Sequence, residues 1–331
     1  MIQIGDSDGH RRVLGGLSVL ERVIRGLGKE GVKHVRCAIS EPFDVEKLGV
    51  PRVPHNVRVE WVPAETKPKS GQRVVRGDVI AGVMVKDRES QKRAEWAVFK
   101  GLPKTHQGPT DALVNQHFSL RITRVLCHTR IHPNQITVAS FLWGLLACAI
   151  VVLQGTWTAM AIGGVMMQVH NILDSCDGEI ARLRYQFTKS GAWLDNVMDE
   201  VIDDLFCASI GIAAGGIWMW IGIIGGGARL LANVIQWEEM IHLGSGGSAW
   251  VFRYWFEKAD ASADEVHGRK SALYWFRAFG RRDTFVFGWM ILLLVGVPEA
   301  VVIWGALNGI VILAPMLLHL MLRPKRSAVK N

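Results

Sequence analysis

Residues 173–199 read LDSCDGEIARLRYQFTKSGAWLDNVMD and lie between two strongly apolar stretches. Asp174 and Asp177 stand at i and i+3, Asp195 and Asp199 at i and i+4, so each pair shares one face if its segment is helical. The intervening LRYQFTK reads as a turn, which lets the two pairs face each other. Two carboxylates 4 Å apart repel by about 4 kcal/mol at an effective dielectric of 20. A carboxylate at membrane depth costs about 2.5–3.5 kcal/mol on insertion scales. Four converging anions therefore call for a cation. Oxygen-only ligands favour Mg²⁺, Mn²⁺ or Ca²⁺ over zinc. Four carboxylates suffice for two ions, the arrangement that clamps phosphate oxygens during in-line displacement.

A solvated acidic helix end would account for Glu179, Glu200, Asp203 and Asp204. It leaves unexplained why Gly178, Ala181 and Gly191 keep the surroundings bare. Cys176 lies between two of the aspartates, but a thiol is a poor ligand for a hard cation and reads as packing. His170, one turn before Asp174, reads as a packed histidine outside the site.

The elements that must position these residues are read from hydropathy and charge. The chain has 331 residues, 49% of them hydrophobic, and a formal net charge of +8. The first hundred-odd residues are mixed and polar; from about Ile136 long apolar runs rich in Gly, Ala, Trp and Met take over. No Lys or Arg occurs between Arg130 and Arg182, only Arg229 between Lys189 and Arg253, and none between Arg282 and Arg323. Each gap accommodates two spanning helices of roughly 20 residues. The clusters Arg121–Arg130, Arg182–Lys189, Arg253–Arg282 and Arg323–Lys330 thus share one face, cytoplasmic by the positive-inside rule. Six transmembrane helices are predicted, near 135–153, 157–181, 189–213, 217–242, 283–296 and 299–321. The segment GPTDALVNQHFSLRITRVLCHTRIHPNQ before them mixes Leu, Ile and Val with Arg at helical spacing and reads as an amphipathic juxtamembrane helix.

The N-terminus lacks the apolar core of a signal peptide and is expected to be cytoplasmic, like the C-terminus. The five cysteines (Cys37, Cys127, Cys148, Cys176, Cys207) have no CxxC spacing and suggest neither a disulfide framework nor a zinc site. Residues 1–105 read as a small α/β cytoplasmic domain: a helix and strand in GGLSVLERVIRGLGKEGVKHVRCAIS, strands in NVRVEWVPA and GDVIAGVMVKD, and a helix in RESQKRAEWAVFKGL. Residues 106–331 form the membrane domain. The loop DSDG reads as a plain turn.

The run Asp174-x2-Asp177-Gly178-x2-Ala181-Arg182-x8-Gly191-x3-Asp195-x3-Asp199 resembles, at all eight fixed positions, the signature of the CDP-alcohol phosphotransferases. The resemblance extends over about 109–325, and HPNQIT, with Pro133 and Asn134, is similar to that family's usual opening. It implies a polytopic α-helical enzyme of a bacterial or archaeal inner membrane. Such an enzyme transfers a phospho-alcohol group from a CDP-alcohol to an acceptor hydroxyl and releases CMP. It further implies that Asp174, Asp177, Asp195 and Asp199 hold two Mg²⁺ or Mn²⁺ ions, with Asp199 also the general base. Gly178, Ala181 and Gly191 would admit the nucleotide, and Arg182 would bind its diphosphate as a charged fork.

An acceptor phosphate, as on inositol phosphate or glycerol phosphate, would meet Arg229, with Arg281, Arg282 or Lys270 assisting. The basic stretch GRKSALYWFRAFGRRD equally suits anionic lipid headgroups. The phrase Gly15–Ser40 resembles the stretch after the nucleotide loop in sugar-nucleotidyltransferase-like proteins. It thereby resembles bifunctional enzymes in which an inositol-1-phosphate cytidylyltransferase precedes a di-myo-inositol-phosphate-phosphate synthase. The triphosphate-cradling loop is absent and the domain is short, so a degenerate, non-catalytic domain is expected. The resemblance also implies a homodimer, membrane lipids as partners, and no nucleic acid.

Two other classes share some of these features. A Mg²⁺-dependent prenyltransferase predicts acidic motifs widely separated in sequence, whereas these are neighbours across one turn. An ion-coupled transporter predicts carboxylates spread through membrane depth and helices broken at the midplane.

Overall fold

The computed structural model describes residues 1–3, 11–39, 57–102, 108–247 and 280–322. The loop DSDG, Lys270 and the C-terminal basic cluster lie outside the described residues. The chain divides into two compact units. The first comprises Met1–Pro103, Leu120–Ile131 and Gly178–Gln186; the second comprises Lys104–Ser119, His132–Asp177 and Phe187–Asn331.

The first unit is built on a parallel four-stranded sheet of order β5-β4-β1-β6, with β1 at Ile2–Gln3, β4 at His34–Ile39, β5 at Arg58–Pro63 and β6 at Val75–Arg76. Helix α1, Val19–Lys29, starts where the Ser18 hydroxyl accepts the Glu21 N–H, an N-cap that satisfies one of the four orphan donors of a helix start. It buries Leu20, Val23, Ile24 and Leu27 with Ile2, Val35, Cys37 and Val57. Two small hairpins flank it: β2, Val13–Leu14, with β3, Leu17–Ser18; and β7, Val79–Ile80, with β8, Val83–Met84. The sequence reading made GDVIAGVMVKD one strand. It folds back because Ala81 and Gly82 both take positive φ, 48° and 76°, the tight reversal of a two-residue hairpin turn. Helix α2, Arg88–Lys100, opens with a reciprocal cap between Asp87 and Ser90.

In this unit, arginines terminate helices. Helix α3, Gln116–Leu126, ends where the Arg184 guanidinium donates to the carbonyls of Leu126, Cys127, Thr129 and Ile131. Arg22 donates to Leu183 O at 2.7 Å and Leu14 O at 2.6 Å, and Arg25 to Arg184 O at 3.1 Å, so α1 supplies donors to the last carbonyls of α5 (Trp157–Arg184). Gly15 and Gly16 permit this approach: a Cβ on Gly16 would stand 2.7 Å from Cys127 O.

The second unit holds α4 (Pro133–Gln154), most of α5, α6 (Lys189–Ala214), α7 (Gly216–His242), α8 (Arg282–Leu294) and α9 (Pro298–Leu322). Pro133 begins α4 at the one turn where a missing N–H costs nothing, and His132 and Gln135 cap each other's backbone. α5 closes with Tyr185 in the left-handed region (φ 56°) and Gln186 N bonded to Ala181 O. Thr188 then caps α6 by accepting the Gly191 N–H.

α4, α7 and α9 are long and apolar enough to cross a bilayer and mark the chain as an integral membrane protein. α5 and α6, at 28 and 26 residues, are as long but carry the aspartates; α8 has only 13 residues. Glycines let these helices approach closely, the usual device where no hydrophobic drive separates helix from lipid. A Cβ on Gly225 of α7 would lie 2.7 Å from Ala306 Cα of α9, and one on Gly309 of α9 would lie 2.6 Å from Gly225 O. The core between the helices gathers Val151, Met167, Ile202, Phe206, Trp289 and Val302.

The expected juxtamembrane helix is a π turn, Asp111–Asn115, running into α3. Its buried stripe is small and polar, Asn115, Ser119, Thr123 and Cys127 at i, i+4 spacing, while Leu113, Phe118 and Val125 are exposed. Asn115 accepts from Gln168 of α5 at 2.5 Å, and Thr123 donates to Glu179 at 2.6 Å.

Candidate metal and active site

α5 presents Asp174 and Asp177, and α6 presents Asp195. One oxygen from each lies within 4.8 Å of the others, a set that could hold a metal ion. Asp177 is buried and accepts the hydroxyl of Thr137, one turn into α4, so the capped start of α4 orients a carboxylate on the next helix. Three hard anionic oxygen donors with no nitrogen or sulfur suit Mg²⁺ or Mn²⁺.

Asp199, expected to complete the ligand set, is not among these three. Its Oδ2 accepts from Nη1 of Arg282, the first residue of α8, and the same Nη1 donates to Asp174 Oδ2 at 3.0 Å. Arg282 Nε donates to Asp203 Oδ2 at 2.9 Å, and Nη2 lies 2.6 Å from His170 Nε2. His170 Nδ1 is 2.8 Å from Ser140 O. Two donors cannot share one contact, so Nδ1 carries the imidazole proton and Nε2 accepts from the guanidinium. Three carboxylates (Asp174, Asp199, Asp203) thus contact one arginine, and Asp174 is shared with the Asp177–Asp195 group, whose excess of negative charge favours a divalent ion.

Sequence reasoning gave Thr137 no role and set aside His170, as packing rather than a partner of a metal ligand, and Asp203, as part of an acidic helix end. Two of them carried a signal. His170 is four residues before Asp174 and shares its face; Asp203 continues the i, i+4 series of Asp195 and Asp199. Thr137 had none, because its role depends on which helix α4 packs against.

The other candidates fall differently. Arg229, expected at the acceptor, is 3% exposed and pairs with Asp204 (2.9 Å) and Glu200 (3.3 Å) of α6, with the Phe285 ring centroid 4.7 Å away. Its charge is spent tying α6 to α7. Arg281 lies 3.3 Å from Asp283. Gly191, expected to admit nucleotide, sits under α4: a Cβ there would stand 2.8 Å from Asn134 Oδ1 and 2.7 Å from Thr188 Oγ1. In the first unit, a Cβ on Gly178 would meet the Arg182 guanidinium first, at 3.2 Å, while Arg182 Nε donates to Leu102 O at 2.6 Å. Ala181 is half-buried one turn along from Gly178. Cys176 packs as expected, fully buried with its thiol 3.3 Å from Ile172 O.

Comparison with known proteins places this geometry. The bifunctional IPC transferase and DIPP synthase of Aquifex aeolicus is 30% identical over 128 residues, 39% of this chain and 28% of the relative. The Archaeoglobus fulgidus protein of the same name is 31% identical over 129 residues, 39% of this chain and 25% of the relative. The archaetidylinositol phosphate synthase of Pyrococcus horikoshii is 37% identical over 102 residues, 30% of this chain and half of the relative. The chain thus matches about a quarter of the length of the two bifunctional relatives. The model of the CDP-alcohol phosphatidyltransferase family matches residues 130–316, which is more than half of the chain and includes every carboxylate of the cluster. With its paired aspartates on adjacent helices inside that stretch, the chain belongs to the CDP-alcohol phosphatidyltransferase family.

Proposed function

We propose that this chain transfers a phospho-alcohol group from a CDP-alcohol to an acceptor hydroxyl and releases CMP. One observation carries the reading: Asp174, Asp177 and Asp195 bring ligand oxygens within 4.8 Å of each other inside the family's domain. A divalent ion held there would neutralise the diphosphate oxygens as charge shifts to the leaving CMP. The remaining work is positioning and electrostatics, the main contributions in such displacements. Arg182 supplies a planar cation to the diphosphate, and Gly178 leaves room beside it for the nucleotide. Asp199 accepts the proton of the attacking hydroxyl.

The names of the relatives favour an inositol-type polyol phosphate as acceptor, and the positive-inside rule favours a cytoplasmic active side. The spacing of the basic clusters supports six membrane crossings with both described ends on that side. The test is incubation of purified protein with Mg²⁺ or Mn²⁺ and a panel of CDP-alcohols and acceptors, scoring CMP. Asp199→Asn is expected to abolish turnover while nucleotide binding persists; undiminished CMP release from that variant would exclude Asp199 as the base.

A further inference from the structure

We infer that Arg282 is a positioning residue for Asp199, held in place by a chain of contacts that begins far from the reacting atoms; this rests on the reading of Asp199 as the base. The start of α8 is pinned first. Asp283 is 3% exposed, accepts the Asp111 N–H at 3.2 Å, and lies so close to Gly108 that a Cβ there would overlap its carboxylate at 1.9 Å. With the backbone fixed beside it, the Arg282 side chain reaches into the cluster, 17% exposed.

All three guanidinium nitrogens are then engaged. Nε goes to Asp203, Nη2 to His170, and Nη1 to both Asp174 and Asp199. Asp203, fully buried, and His170, anchored on Ser140 O, orient the guanidinium from behind. Arginine suits this task because its donors form a rigid planar fork. Oδ2 of Asp199 is thereby committed to the ion pair. Oδ1, 3.7 Å from His170 Nε2 and beyond hydrogen-bond reach of it, is the oxygen left to take the proton. The division of labour follows: Asp174, Asp177 and Asp195 face the ion, and Arg282 keeps Asp199 for the acceptor.

An arginine that instead binds the acceptor phosphate would act on binding. The two roles separate in Arg282→Gln and Arg282→Lys, assayed by steady-state kinetics and by Mn²⁺ titration followed by electron paramagnetic resonance without substrates. Arg282→Gln is expected to lower kcat by about 100-fold or more, the scale of a misplaced general base, with both KM values within about threefold of wild type. Its Mn²⁺ affinity should equal or exceed that of wild type, because a competing cation has left Asp174. Arg282→Lys should stay far below wild type in kcat, since a single ammonium cannot span Asp174, Asp199, Asp203 and His170 together. A raised acceptor KM with kcat retained at saturation overturns the inference, as does loss of Mn²⁺ binding along with kcat. If Arg282→Gln does not fold, Arg282→Lys is read by the same criteria. Failure of the wild-type protein to release CMP from any donor would overturn the proposed function instead, and the Mn²⁺ titration distinguishes the two failures.

Discussion

The Thr137 hydroxyl donates to Oδ2 of Asp177, joining the start of α4 to a carboxylate of the candidate metal cluster on α5. A carboxylate held by a second hydrogen bond keeps its other oxygen aimed at an ion. Such outer contacts typically matter 10- to 100-fold in metal affinity or activity. Thr137→Val removes the donor at nearly constant volume. Mn²⁺ titration should show affinity falling by about 10-fold or more; unchanged affinity would mean the hydroxyl does not orient Asp177.

The α7–α9 contact predicts a packing sensitivity. Ala306 Cα and Gly225 O are backbone-fixed atoms that cannot swing aside from an added methyl group. Gly225→Ala and Gly309→Ala should each destabilise by about 1–3 kcal/mol, the usual cost of overpacking a close contact. This outweighs the roughly 1 kcal/mol that Ala gains over Gly in helix propensity. Thermal unfolding in detergent measures it. Gly227→Ala is the control, because a Cβ there meets nothing within 4 Å and should be neutral or stabilising.

Arg22 is 3% exposed and donates to Leu183 O and Leu14 O. Burial lowers the pKa of its guanidinium. Arg22→Met keeps the apolar stem and removes both donors, leaving two carbonyls unanswered. Loss of two charge-assisted bonds should cost about 3 kcal/mol or more. Limited proteolysis of the first unit should speed up accordingly.

A pH dependence follows from the cap of α2. The Ser90 N–H and then the Ser90 hydroxyl, both bonded to Oδ1 of Asp87, hold its carboxyl below the usual range. Because the folded state binds the proton more weakly, the cap stabilises above the unfolded pKa near 3.9 and fades as pH falls through the folded value. Protection factors of the α2 amides, corrected for the intrinsic pH dependence of exchange, should therefore fall selectively on acidification. Asp87→Asn, which still caps but does not titrate, should flatten that response; an unchanged acid response in this variant would place its origin elsewhere.

Much of the architecture is one-dimensional information. Helix lengths follow from apolar runs bounded by Pro133, Gly155, Thr188 and Gly215. These are local signals, so the helices form within a few residues of where the sequence places them. Asp174, Asp177 and Asp195 were legible for the same reason: helical spacing puts each pair on one face, and a short turn brings the faces together. The hairpin at Ala81–Gly82 was not, because the pattern around it reads equally well as one strand.

The sequence by itself determined which oxygen donors stand at which spacing, and the apolar stretches that make their charge costly. Tertiary structure alone decided which cations answer them. Arg229 and Arg282 look alike in the chain, each a basic residue near an apolar stretch. Packing encloses Arg229 against Glu200 and Asp204, and delivers Arg282 to Asp199 from 83 residues away. The reason is range: hydrophobic periodicity is set within one helix turn, whereas an ion pair between helices depends on how their backbones dock.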